Sequence, residues 1–255
     1  NLPAVDLGTG RVATVVSAGA SHTCALLDDK SVKCWGSNYY GQLGLGDKNN
    51  RGDNSGEMGD NLPAVDLGTG RVAIAIFAGG YHTCAILDDK SVKCWGRNEA
   101  GQLGLGDTNN RGDDSGEMGD NLPAVDLGTG RVATVVSARG YFHTCALLDD
   151  KSVKCWGDRE GENNIGALGL GDRETRGDES GEMGDNLPAV NLGTGRVATV
   201  IFSGSYHNCA ILDDTSLKCW GWNHYGGLGL GHTNIRGRNS WDMGDNLPAV
   251  DLGTG

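Results

Sequence analysis

Short apolar runs separated by glycine- and aspartate-rich turns fill this chain, and none of them sustains a helical period. The clearest pair is HTCALL and SVKCWG, around the polar triplet Asp28-Asp29-Lys30. Two apolar runs joined by three turn residues predict a β-hairpin. The same block returns from His82, His143 and His207. One hairpin cannot bury its own apolar face, so neighbouring copies must supply the core. Lys30 occupies a turn position that favours glycine or asparagine, a small local conflict.

Upstream of each hairpin runs a segment such as Arg11–Gly19, where Val12, Thr14 and Val16 alternate with Ala13 and Val15. Both faces are fairly apolar, which predicts a strand near the centre of the assembly. Before it stands NLPAVDLGTG, which occurs at Asn1, Asn61, Asn121, Asn186 and Asn246. Pro3 restricts Leu2 to extended backbone and suits a strand edge, so Pro3–Leu7 is expected to be a short edge strand. Gly8-Thr9-Gly10 then makes a turn.

The repetition predicts one all-β, propeller-type array over 1–255, four repeats of about 60 residues that each form a small antiparallel sheet. Their bounds fall near 1–60, 61–120, 121–185 and 186–245. NLPAVDLGTG occurs five times against four hairpins, leaving 246–255 as a surplus terminal strand. Such a strand is expected to pair with a neighbouring chain or to lead into further repeats. The chain begins on Asn1 and not on Met, which fits a processed protein or an excerpt.

Charge narrows the partners. A net charge of −12 with no basic stripe argues against nucleic-acid binding. No stretch approaches the roughly 18 apolar residues of a membrane span. The eight cysteines form four pairs, Cys24/Cys34, Cys84/Cys94, Cys145/Cys155 and Cys209/Cys219. Their separation is too wide for the usual zinc spacing. With a three-residue hairpin loop, Leu27 opposes Ser31 and Cys24 opposes Cys34, close enough for a disulfide. Four bridges would place the protein in an oxidising compartment, extracellular or at the cell surface; the alternative is eight buried thiols in the cytosol.

Candidate sites follow from what varies and what recurs. The fourth copy adds Trp222, His224 and Tyr225, and His232, Arg238 and Trp241 stand in place of Asp47, Asp53 and Glu57. Variation over a fixed frame marks this as the candidate binding loop. Asp47, Asn49, Asp53 and Glu57 supply oxygen ligands on one glycine-rich loop, a calcium-like composition whose spacing does not follow the EF-hand. A solvated loop with Arg51 paired to a carboxylate is the competing expectation. The triplets Arg51-Gly52-Asp53, Arg111-Gly112-Asp113 and Arg176-Gly177-Asp178 look like an integrin-recognition tripeptide, yet they also read as one loop copied with its repeat. His22, His82, His143 and His207 are expected to donate to nearby backbone carbonyls, and Trp35, Trp95, Trp156 and Trp220 to fill the gaps between sheets. No nucleophile elbow, phosphate loop or HExxH motif is present.

Ala18, Gly19, His22, Thr23, Ala25, Leu26, Trp35, Gly36 and Asn38, followed by GQLGLG from Gly41, make a long pattern that the second copy repeats from Ala78. In it the chain resembles the regulator of chromosome condensation repeat family. The resemblance implies a β-propeller with blades of about four strands around a channel, usually seven to a ring. The paired cysteines depart from the family's commoner intracellular members, so its best-known role, nucleotide exchange on a small nuclear GTPase, transfers poorly. The expected function is an extracellular scaffold that binds protein or glycan partners through blade loops and assembles through its terminal strands, without catalysis or cofactor. The alternatives are an acidic-channel carbohydrate-active enzyme and an intracellular GTPase regulator.

Overall fold

The computed structural model describes residues 3–158 and 165–253. Four three-stranded antiparallel sheets follow one another, with strand orders β1-β2-β3, β4-β5-β6, β7-β8-β9 and β10-β11-β12. The first sheet is Ala13–Ala18 (β1), His22–Leu27 (β2) and Val32–Gly36 (β3). The second is Ala73–Ala78 (β4), His82–Leu87 (β5) and Val92–Gly96 (β6). The third is Ala133–Ser137 (β7), His143–Leu148 (β8) and Val153–Gly157 (β9). The fourth is Ala198–Ser203 (β10), His207–Leu212 (β11) and Leu217–Gly221 (β12). The chain divides into two compact units, Asn1–Asn98 with Asn109–Ala124, and Glu99–Thr108 with Val125–Gly255. The boundary cuts through the second repeat, so a repeat in sequence is not a unit in space. Among the described residues no helix is long and apolar enough to cross a membrane.

The hairpins form as their pattern predicts. Cys24 opposes Cys34, and Leu27 N donates to Ser31 O at 2.9 Å around the three-residue turn. Asp29 Oδ1 accepts from Ser31 Oγ at 2.6 Å, fixing the turn from inside. Lys30, Lys90, Lys151 and Thr215 all take the positive φ that the turn demands, near 70°. Across each turn an arginine joins the aspartates, as Arg11 does with Asp29 at 2.7 Å.

The same register recurs in every hairpin, with Cys84 opposite Cys94, Cys145 opposite Cys155 and Cys209 opposite Cys219. All four opposed pairs are disulfides: Cys24–Cys34, Cys84–Cys94, Cys145–Cys155 and Cys209–Cys219, each with a Cα–Cα separation of 4.1 Å. No cysteine is left free among the described residues, so the alternative of eight buried thiols falls. Cys34, Cys94, Cys155 and Cys219, on the last strand of each sheet, are buried, as are Cys24, Cys84 and Cys145. Cys209 departs from that pattern and is only half-buried, on a strand whose other face residues are also less covered.

Two expectations are corrected. The alternation along Arg11–Gly19 is broken by a bulge between Ala13 and Val15, where Thr14 turns its hydroxyl to Leu26 O at 3.0 Å; the same bulge forms around Ile74, which has no hydroxyl, so that bond accompanies the bulge without causing it. The bulge recurs in all four sheets. Pro3–Leu7 is not a strand, nor is any later copy of it, so the blades have three strands and not the four that the resemblance implies. The second, fourth and fifth copies each touch a sheet edge through one bond, as Val65 N does with Val32 O at 2.8 Å.

What holds NLPAVDLGTG in place is a buried lysine. Lys33 Nζ donates to Leu7 O at 3.0 Å and to Gly59 O at 2.8 Å, tying the start of one repeat to its end. Thr9 Oγ1 and Asp60 Oδ2 meet beside it at 2.6 Å. Lys93, Lys154 and Lys218 make the same clamp. The two terminal copies each make part of these bonds. In the fifth, Val250 N reaches Leu217 O at 2.7 Å just as Val65 reaches Val32, while Leu252, the counterpart of the clamped Leu7, is 80% exposed. In the first, the lysine clamp is joined by Gly59 N donating to Asp6 O at 3.1 Å. The lengthened loop of the third repeat falls largely on 159–164, outside the described residues, as do residues 1, 2, 254 and 255.

Lys93→Met would leave two buried carbonyls without their donor, an expected loss of about 2 kcal/mol or more in urea unfolding. A loss near zero would show that the clamp does not hold the segment. Opening any one disulfide by a Cys→Ser pair, such as Cys84→Ser with Cys94→Ser, should cost about 2–3 kcal/mol for a loop this short. Mass spectrometry should detect eight alkylatable thiols only after reduction, and eight in the untreated native protein would overturn the bridges.

Candidate functional site

Each repeat hands a carbonyl to the next. Gln42 O accepts from Thr83 Oγ1 at 2.8 Å and from Trp95 Nε1 at 3.1 Å. Gln102 O accepts from Thr144 Oγ1 at 2.8 Å and Trp156 Nε1 at 3.0 Å. Ala167 O accepts from Asn208 Nδ2 at 2.7 Å and Trp220 Nε1 at 3.0 Å. The three indoles are fully buried, as expected for residues that fill the gap between sheets. Gly44 lies so close to Trp95 that a Cβ there would stand 2.7 Å from Nε1, and its φ of +70° adds a second reason for glycine.

The histidines belong to this joint, with a different partner from the one the sequence suggested. His22 Nε2 lies 2.8 Å from Thr83 Oγ1, and His143 Nε2 lies 3.1 Å from Asn208 Oδ1. Thr83 and Asn208 already donate to a carbonyl, so each accepts from a neutral, Nε2-protonated imidazole. Nδ1 of both rings is buried without a partner. Burial holds both histidines down to a pKa of about 4.

The four calcium candidates do not form a cage. Asp47 faces Arg51 at 2.7 Å and accepts Asn49 N at 2.8 Å. Asp53 accepts from the amide groups of Asn50 and Asn54, both at 3.2 Å. Glu57 Oε2 accepts from Gly52 N at 2.8 Å and Asn54 N at 3.0 Å; bonds to Asn54 lead those that hold its pKa down to about 2. Their oxygens face N–H groups and not a common centre. Among the described residues no group of three histidine, cysteine or acidic side chains could hold a metal. The cysteine sulfurs are consumed in the bridges, Cys34, Cys94, Cys155 and Cys219 each by its partner on the neighbouring strand, and they staple hairpins instead of forming a site. The Arg-Gly-Asp triplets are bent into the same frame, Arg51 pairing with Gly36 and Arg111 with Gly96.

The candidate binding residues divide. Trp222, His224 and Tyr225 come together: Trp222 stacks on His224 at 5.6 Å and meets the edge of Tyr225 at 5.3 Å. They continue into rings the sequence reading missed, Tyr206 at 5.8 Å from Trp222, then Tyr141 at 5.4 Å and Phe142 at 6.4 Å from Tyr206. Six rings thus form one contiguous surface, and Tyr225 is 84% exposed at its edge. Two of the missed rings come from one position, the residue before the strand histidine, which reads Ser21, Tyr81, Phe142 and Tyr206 along the chain. In the first unit that position carries Tyr81, which packs with Tyr40 at 5.5 Å, and Arg97 lies 4.9 Å over the Tyr40 ring.

The other three residues stand elsewhere. His232 replaces Asp47 as predicted and lies 3.0 Å from Arg236. Arg238 is half-buried where a Cβ on Gly166 would meet it, and burial lowers its pKa. Trp241 does not replace Glu57. Asp242 does, accepting from Asn239 N at 3.1 Å, and Trp241 takes the place of Gly56 on a short 3-10 turn, Ser240–Asp242. Its ring is 67% exposed.

Three-stranded blades linked by a shared carbonyl define a β-propeller-like repeat protein. The Regulator of chromosome condensation (RCC1) repeat matches residues 14–42, 73–102, 133–161 and 199–226, and a second form of it matches 31–86. The chain belongs to the RCC1 repeat family. It is similar to the Ultraviolet-B receptor UVR8 of Arabidopsis thaliana, 32% identical over 229 residues, covering 89% of this chain and 45% of the receptor. It is 29% identical to the probable E3 ubiquitin-protein ligase HERC4 of Homo sapiens over 87% of this chain and 18% of the ligase. The chain spans less than half the length of these relatives. Among solved structures, Prp20p of Saccharomyces cerevisiae superposes with a TM-score of 0.69 at 17% identity, over 97% of this chain and 52% of Prp20p. Human WBSCR16 gives 0.64 at 19% identity, over 88% of this chain and 50% of WBSCR16. These two establish the fold alone.

The buried histidines set a pH dependence. An unfolded histidine titrates near 6.5 and the folded ones near 4, so the unfolded state binds more protons between those values. Stability should therefore fall as pH drops from about 6.5 to about 4, by up to about 3 kcal/mol per histidine, and level off for these groups below that. Urea unfolding of the wild type and of His143→Gln across that range checks it. An equal slope in both would exclude His143 as the titrating group.

Proposed function

We propose that this protein is an interaction scaffold that holds a protein partner on the aromatic surface of its third and fourth repeats and carries out no catalysis. The observation that carries this reading is the run of six rings from Tyr141 to Tyr225, ending on an 84% exposed tyrosine. Aromatic side chains supply large contact area at little cost in side-chain entropy and dominate protein interfaces. The first unit places Arg97 over Tyr40 and Tyr81, so there the rings serve the chain's own packing. In the fourth repeat Trp222 stands where Arg97 does, and the surface grows outward through His224 and Tyr225. One solved relative by fold, yeast Prp20, is described bound to the protein Kap60, which supports a protein partner over a glycan. The four disulfides favour an oxidising compartment, extracellular or at the cell surface.

Trp222→Ala with Tyr225→Ala should weaken partner binding by about 30-fold or more, the loss of a buried aromatic anchor. The check is quantitative cross-linking and affinity measurement against partners recovered with the wild-type protein, at unchanged melting temperature. Equal affinity in the double variant would overturn the reading. So would robust polysaccharide turnover lost on changing one carboxylate.

A further inference from the structure

Successive repeats meet along a cleft, and three acidic positions border it. At the first joint they are Asp66, Asp113 and Asp114, and at the second Asp126, Asp178 and Glu179. At the third they read Asn191, Arg238 and Asn239, so every carboxylate is gone and one has become a guanidinium. The backbone beneath them keeps its course. A Cβ added on Gly46 would stand 3.4 Å from Ser115 Cα, and one on Gly171 would stand 2.7 Å from Ser240 Cα. A Cβ on Gly44 or Gly169 would meet the methyl of Met118 or Met243, at 3.1 Å in both. The first joint's cleft measures about 280 Å³ and runs past Leu45, Pro63, Ala64 and Asp66. Leu170, Pro188, Ala189 and Asn191 hold the same places at the third joint.

These substitutions turn acceptors into donors. Across the first joint Lys48 forms an ion pair with Asp113 at 3.1 Å. Arg173 stands in the place of Lys48 and faces Arg238 in the place of Asp113; after burial, its like charge helps to lower the Arg238 pKa. Arg173 is exposed, with no hydrogen bond or ion pair among the described residues. Asn191 Oδ1 keeps the turn bond from Gly193 N at 3.0 Å, as Asp66 Oδ1 keeps that from Gly68 N at 2.9 Å. Its Nδ2, a donor, then faces Gly244 where Asp66 Oδ2, an acceptor, faces Gly119. Beside Ser240 rises Trp241, 67% exposed, with no ring contact and no bond to its indole N–H among the described residues. The other repeats have glycine there, as Gly56, Gly116 and Gly181. Gly116 and Gly181 each have a further repeat after them, yet a Cβ on either would meet nothing within 4 Å. The exposure of the indole therefore belongs to its position in the repeat and not to its being in the fourth one.

We propose that the cleft at the third joint binds an acidic, partly apolar segment of a partner protein. Trp241 is its apolar anchor, and Arg173 and Asn191 Nδ2 donate to its carboxylates. Arginine recognises acidic motifs through such charge-assisted bonds. Leu170 and Pro188 give the apolar residues of the segment a wall to lie against. Charge favours a peptide over a sulfated glycan. The net charge of −12 repels a long polyanion along its whole length, whereas a short segment needs a favourable charge only at the cleft. The site uses none of the six rings around Trp222, so this reading and that of the aromatic surface can each fail alone.

Panning a displayed library of random decapeptides on the 255-residue chain tests it, with Trp241→Gly plus Asn191→Asp as the counter-selection. That double variant carries what the other joints carry, so the fold tolerates it. The expected result is enrichment of peptides that combine acidic with apolar residues. Their affinity should fall about 30-fold or more in the double variant, the loss of an aromatic anchor. It should fall about fivefold in Arg173→Glu, stay near wild type in Arg173→Lys, and weaken with added salt. Trp222→Ala with Tyr225→Ala should bind the same peptides unchanged. No enriched peptide, enriched peptides without acidic residues, or equal affinity in the double variant at an unchanged melting temperature overturns the proposal. A heparin fragment that binds more tightly than the peptides and loses that affinity in the double variant overturns it too, and assigns the cleft to a sulfated glycan.

Discussion

The structure depends on one shared acceptor. A single carbonyl at the tail of each repeat takes two hydrogen bonds from the next, one from an indole and one from a hydroxyl or amide. Buried indole N–H groups are costly unless paired, so the tryptophan can fill the inter-sheet gap only if the tail turn arrives in register. The tail arrives because glycines with positive φ bend it and let it lie against the ring. Packing, hydrogen bonding and backbone shape are therefore one constraint, and each repeat is incomplete without its neighbour.

A second set of bonds makes each repeat close on itself. The buried lysine clamp and the threonine–aspartate pair beside it join the first ten residues of a repeat to its last. Two carbonyls and a nearby aspartate offset the water that the buried ammonium loses. The disulfide works at a third level and ties β2 to β3 within one sheet, as Cys94, Cys155 and Cys219 do in the sheets that follow. Bonds within the hairpin, within the repeat and between repeats thus use different residues, which is why so much of the sequence returns unchanged from copy to copy.

The hairpin was the most legible part of the sequence. A three-residue turn fixes register, register sets which residues oppose, and the cysteine pairing, Leu27–Ser31 and the strained Lys30 all follow. NLPAVDLGTG was misjudged because alternation and proline placement suggest an edge strand. Its hydrogen bonds instead go to a lysine side chain 26 residues away, which no local pattern reveals. The bulge at Thr14 escaped because it also forms around Ile74, so no residue type at that position marks it. Of the candidate binding residues, Trp222, His224 and Tyr225 were close in sequence and stayed close in space. His232, Arg238 and Trp241 lie further along the chain and were grouped only because they varied. Tyr206 and Phe142 could have been found by comparing one column of the repeat.

Identity between repeats and difference within them answer to different pressures. The indole that serves a joint must suit both the repeat that carries it and the one that hands it a carbonyl, so Trp95, Trp156 and Trp220 do not vary, although the second donor changes from Thr83 and Thr144 to Asn208. The position before the strand histidine touches no joint carbonyl and is free to change from Ser21 to Tyr81, Phe142 and Tyr206. The residue after the Trp-Gly step also varies, as Ser37, Arg97, Asp158 and Trp222, though Asp158 is buried and accepts from Ala167 N at 3.1 Å. These two columns meet in space, as Tyr81 does with Arg97 and Tyr206 with Trp222. A scaffold of this kind can alter its surface at these two positions wherever, as at Tyr206 and Trp222, the side chain faces outward and not into the joint. The aromatic surface lies where the architecture tolerates change, which is where a binding site can evolve at least cost to stability.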